Sequence, residues 1–144
     1  ITENTKPPIV ANKAAFEAPS DRFAWYCASP INKYEPVILD ASGSLAPATA
    51  STLTASTKFM GICQYGTELA GEMVTVVKGA FPVVADGAIT AGQLVEVTDN
   101  TTVVNDFTYH TVKAASGDLS TATVIGVALT DATAKGDLVT VIIK

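Results

Sequence analysis

The chain has 144 residues, 48% of them apolar and only 16% charged, with a net charge of −5. That is one domain, large enough to bury about two thirds of its unfolded surface without a staple, and its sparse charge points to a surface covered by small neutral residues or by other protein, a first hint of an assembly. With no Lys/Arg cluster to meet phosphates, no run near the ~20 apolar residues of a membrane span and no signal-peptide order, a nucleic-acid or membrane role is argued against. The sequence opens on Ile1 rather than Met, consistent with a leader, tag or propeptide before it.

Residues 1–22 carry Pro7, Pro8 and Pro19 and show neither helical nor strand periodicity, so they are expected to form an extended N-terminal arm. Its apolar Ile9, Val10 and Phe16 suit a segment lying on a partner or a neighbouring subunit better than a solvated tail. Residues 23–144 are expected to be the folded domain. Phe23 to Ala28 is the aromatic high point and the expected first strand, with Phe23, Trp25 and Cys27 on one face. The lone Trp25 is expected in the core, with an interface anchor as the alternative.

A turn over Ser29 to Lys33 leads to a strand at Tyr34 to Asp40, whose Pro36 suggests an edge or a bulge. Ala41 to Thr57 reads as a surface loop with a short strand at Ser44 to Ala46. Phe59 to Cys63 and Glu72 to Val77 form a hairpin, and Gly79 permits a kink before another strand interrupted by Pro82. After the Asp86-Gly87 turn, Ala88 to Thr98 holds a strand, Thr98 to Thr102 a polar turn, and Phe107 to Val112 a further strand. The closing hairpin, Val124 to Leu129 and Asp137 to Ile143, is the most apolar part and should lie in the core. No long helix is expected; Thr49 to Lys58 and Asp131 to Lys135 are the least unsuitable places for a short one.

The stretch Met60 to Val77 is written again at Ile125 to Ile142, an offset of about 65 residues. Gly61 pairs with Gly126, Gly71 with Gly136, Glu72 with Asp137, and Val74-Thr75-Val76 with Val139-Thr140-Val141. A weaker echo lies at Ala91 to Val97, and a fourth at Tyr34 to Leu39 with its glycine missing. Many short strands, Gly/Pro/Ser/Thr turns and this duplication predict an all-β fold, a compact β-barrel or sandwich with an internally duplicated hairpin unit.

The catalytic inventory is thin. His110 is the only histidine and sits in a strand run, where packing or surface placement explains it better than catalysis. There is no nucleophile elbow, phosphate loop or Cys/His metal spacing, and no enzyme activity, metal or cofactor is expected. The acids stand mostly at turns, where Asp bonds backbone amides two residues on; Glu72 and Asp137 are read as solvent-facing turn carboxylates that keep the hairpin edge from pairing with other strands, rather than as a paired cation site. Cys27 and Cys63 are expected to be buried thiols rather than a disulfide, because Cys63 occupies the place of Ala128 in the second copy.

The pattern Met60-Gly61-Ile62-Cys63 with Ala70 to Val76, Lys78-Gly79-Ala80-Phe81-Pro82-Val83 and Ile89 to Val95, then Ile125 to Leu129 with Gly136-Asp137 and Val139-Thr140-Val141, resembles the capsid cement or decoration proteins of tailed bacteriophages. The resemblance covers roughly Val37 to Ile143; residues 1–36, including the aromatic run, lie outside it. It implies a β-rich homotrimer on the outer surface of the virion that clamps neighbouring major capsid protein subunits. Pro7, Pro8, Ile9, Val10, Phe16 and Trp25 are then the candidates for contact with capsid or subunit. Two other readings stand beside it: a tail or fibre-base β module, and a carbohydrate-binding module with exposed aromatics as its platform.

Overall fold

The computed structural model describes residues 15–144. The described residues form nine strands: β1 (Ala18–Tyr26), β2 (Pro36–Leu39), β3 (Leu45–Pro47), β4 (Lys58–Tyr65), β5 (Met73–Val84), β6 (Leu94–Val104), β7 (Phe107–Ala114), β8 (Val124–Ala128) and β9 (Leu138–Ile143). They form one sheet in the order β3-β2-β4-β5-β9-β8-β6-β7, with β1 alongside β5, and the described residues contain no helix. The all-β expectation therefore holds, and the two segments considered for short helices are turns.

The duplication extends through the whole sheet. Strands β1 to β4 with the start of β5 form one unit; the end of β5 with β6 to β9 forms the other. Register is conserved between them: Trp25↔Val74 and Phe23↔Val76 in the first match Val83↔Val139 and Phe81↔Val141 in the second. Likewise Val37↔Gly61 and Pro36↔Ile62 match Val95↔Gly126 and Leu94↔Val127. Each unit is nearly closed on itself by a single parallel bridge, Cys27↔Leu45 and Ala85↔Val112, so that two small five-stranded barrels share β5.

The repeated glycines have one shared cause. A Cβ on Gly61 would lie 2.3 Å from the Val77 carbonyl oxygen, and one on Gly126 would lie 2.0 Å from that of Ile142, the residue matching Val77. The two strands of each hairpin thus approach too closely for any side chain. The fourth echo lacks its glycine because Tyr34 takes the left-handed conformation itself, with φ 76° where the matching Gly92 has φ 94°.

Three expectations need correction. β1 begins at Ala18, so residues 18–22, assigned to the arm, belong to a strand whose register shifts between Pro19 and Arg22. Thr98 to Thr102 is not a turn: β6 runs through it to Val104, with a bulge between Val97 and Thr101 that the Thr98 and Thr111 hydroxyls bridge at 2.8 Å. The hairpin instead turns at Asn105 and Asp106, both left-handed, with φ 51° and 69°, as a two-residue type I′ turn demands. Finally, Trp25 is not in the core; it is 47% exposed.

Candidate interaction surface

β1 carries the candidate surface. Its residues from Ser20 to Tyr26 are all exposed, with Phe23, Trp25 and Tyr26 at 38%, 47% and 51%. The alternation read from sequence is correct, since cross-strand pairing puts Phe23 and Trp25 on the same face as the buried Val76 and Val74. That face belongs to a small core of Cys27, Ile31, Val37, Leu45, Cys63, Val74 and Val76. Among the described residues, nothing covers it. Phe23, Trp25, Leu39 and Met60 instead rim an open apolar hollow of about 330 Å³ around Gly43, and the indole Nε1–H donates to the Gly43 carbonyl at 2.8 Å, fixing the ring at the rim.

The chain reaches β1 through an anchored segment. The Phe16 N–H donates to the Thr140 hydroxyl, which donates in turn to the Phe16 carbonyl, both at 2.8 Å, while the Phe16 ring stays 46% exposed. Glu17 accepts from the Tyr34 hydroxyl at 3.2 Å and lies 3.3 Å from Lys33 Nζ. Burial pushes the Tyr34 hydroxyl's pKa up, and the Glu17 charge adds to that. Phe16 and Trp25 are therefore both exposed on the body, whereas Pro7, Pro8, Ile9 and Val10 lie outside the described residues.

The cysteines are buried free thiols, as expected, and Cys27 Sγ lies 3.4 Å from the Thr67 hydroxyl. Burial, with Glu35 as a lesser cause, raises the Cys63 thiol well above its ordinary range. Asp40 accepts from the Ser42 and Ser44 amides and Asp118 from that of Ser120, as turn acids are expected to, whereas the half-buried Asp137 reaches back to the amides of Thr133 and Ala134. Among the described residues no group of three or more His, Cys, Asp or Glu could hold a metal.

One pair escaped sequence reading. Glu35, 2% exposed, accepts from the Asn32 amide at 2.8 Å through one carboxylate oxygen, and through the other from the His110 amide at 2.7 Å and from His110 Nδ1. The matching Gln93 makes the same loop bond, from the Thr90 amide at 2.8 Å. Glu35 adds a link between β2's approach and β7, across the seam of the two units. Its hydrogen bond raises the His110 pKa, overcoming the opposing effect of burial. The only sequence signal was the alignment of Tyr34-Glu35 with Gly92-Gln93.

The described residues thus form an all-β body of two duplicated units with a strand of exposed aromatics on the first. Comparison with known proteins makes this specific. Residues 28–143 match the family of phage cement proteins, and the chain belongs to that family. It is a structural protein of a phage virion and not an enzyme. Among solved structures it is similar to the head fibre gp8.5 N base of bacteriophage phi29, at 19% identity, TM-score 0.60 and coverage of 86% of this chain and 93% of that one, a likeness of fold. No curated protein matches it.

Proposed function

We propose that the protein decorates the outer surface of the capsid as a homotrimer and bridges neighbouring major capsid protein subunits. Membership of the cement family over residues 28–143 is the observation that carries this reading. The segment preceding Phe16 supplies the shell contact. Phe16 is pinned to the sheet by its backbone with its ring outward, which supports a contact role for Phe16 and for the Pro7, Pro8, Ile9 and Val10 that precede it in sequence. An extended segment offers much surface per residue, and joining three such contacts gives tight overall binding from weak sites.

The test is co-sedimentation of the purified protein with expanded heads lacking it, with unexpanded procapsids as the control. Saturable binding to expanded heads is expected, weakened when residues 1–14 are removed. Equal binding by the truncated protein would take the shell contact away from the arm, and no binding to either particle would end the cement reading. The likeness to a head fibre base favours a second role, as the seat of a fibre on the same surface. Labelled protein found on tails rather than heads would remove both.

A further inference from the structure

Among the described residues the two units differ in one respect that bears on assembly: the second unit's interior is roofed and the first unit's is open. Phe81 and Val83, which match Phe23 and Trp25, are both fully buried. Their cover comes largely from the first unit: the Tyr34 ring lies 5.8 Å from that of Phe81, with Lys33 Nζ 5.9 Å above it. Ile62 and Val77, fully buried on the first unit's outer row, belong to the same continuous core as Phe81 and Val83. Inside one chain, then, the outer face of unit one closes the interior of unit two. The relation runs head to tail, which leaves two faces uncovered by any of the described residues.

Those faces are the hollow of unit one, rimmed by Phe23, Trp25 and Met60, and the outer row of unit two, Leu94, Val127 and Ile142. This row matches the buried Pro36, Ile62 and Val77, yet Ile142 is 47% exposed. The internal contact sets the Tyr34 ring against Phe81, and the matching positions on the two remaining faces are Gly92, with open space where a Cβ would lie, and the exposed Phe23.

We infer that the hollow of unit one is the docking site for a second copy of this chain, which presents the outer row of its unit two and so repeats between copies the contact made within each. Such a contact is heterologous: every copy has one donor face and one acceptor face, and a closed ring uses all of them. The inference supplies surfaces for the self-association in the preceding reading, and its test needs no capsid, so the two fail separately.

Sedimentation velocity over a concentration series tests it. Wild type should assemble beyond the monomer, whereas Trp25→Glu and Ile142→Glu, each removing one face at an exposed position, should both sediment as monomers. Mixing the two variants should restore one intact interface and yield a dimer and nothing larger. Trp25 is the only tryptophan, so its fluorescence is an independent readout: emission should shift to the blue as wild type associates and stay red-shifted in Ile142→Glu. A wild type that is monomeric throughout overturns the inference, as does either variant assembling like wild type, or a mixture that gives no dimer. Trp25→Glu losing head binding while wild type alone remains monomeric would assign the hollow to the capsid instead.

Discussion

The two units have the same strands in the same register and opposite fates for the same positions. Phe81 and Val83 are sealed in a core, while Phe23 and Trp25, facing the corresponding interior, meet solvent. The cause lies outside the matching strands. The second unit gains the Tyr34 ring from its neighbour, and its β6–β7 hairpin runs on through residues 98–111, adding Phe107 and Tyr109 to the core. In the first unit the corresponding turn is the short residues 40–44, held by Asp40, whose pKa is lowered by the bond from the Ser44 amide and others like it. Among the described residues, then, the second copy of the barrel has a lid and the first does not, and an open barrel is what a binding protein can use.

Truncating the matched aromatics should make this difference measurable. Phe81→Ala removes a fully buried ring and should cost about 3–5 kcal/mol in denaturant unfolding. Phe23→Ala, at a site already 38% exposed, should cost only about 1 kcal/mol in the isolated chain. Equal costs would mean that the first unit is covered in solution. The glycines should show the opposite, a sameness. Gly61→Ala and Gly126→Ala both drive a Cβ into a backbone carbonyl that cannot step aside, so each should cost about 3 kcal/mol. A mild Gly61→Ala would reveal the open unit to be softer than its partner.

These glycines also explain what was legible. A backbone approach of 2.0–2.3 Å to a Cβ admits one residue type, so it leaves a mark in both copies, and the hairpin repeat could be read at once. Tyr34 hid the fourth echo because a left-handed tyrosine satisfies the same backbone need without the same letter. The Thr98 to Thr102 stretch resembles a turn in sequence because it is polar throughout; in the fold Thr98 and Thr111 satisfy each other's hydroxyls across a bulge. Trp25 was assigned to the right face and the wrong environment. Strand alternation reports which way a side chain points, whereas the presence of a roof is decided by residues far away in sequence.

The Glu35–His110 pair sharpens the comparison at the seam, because Gln93 keeps the loop bond and lacks the charge. Since folding raises the His110 pKa, the pair's stabilisation is fully present below the unfolded value, about pH 6.5, and is lost as pH rises through the folded value. Unfolding followed across that window should show stability falling with pH in wild type. Glu35→Gln, which copies the second unit, should flatten that slope and cost about 1–3 kcal/mol at low pH. A slope that survives the substitution would place its origin elsewhere.

The smallest effect expected is chemical. Cys63 and Ala128 occupy matching places in the two interiors, both essentially fully buried. The thiol is therefore a space-filler whose raised pKa, caused first by burial, leaves little thiolate at neutral pH. Cys63→Ala should change stability by about 1 kcal/mol or less, since the matching site already holds alanine. In the native protein Cys63 should resist an alkylating reagent until denaturant is added. The hollow at Trp25 lies on the same unit, so labelling of Cys63 under native conditions would show that the opening reaches the interior, and that the first barrel breathes where the second does not.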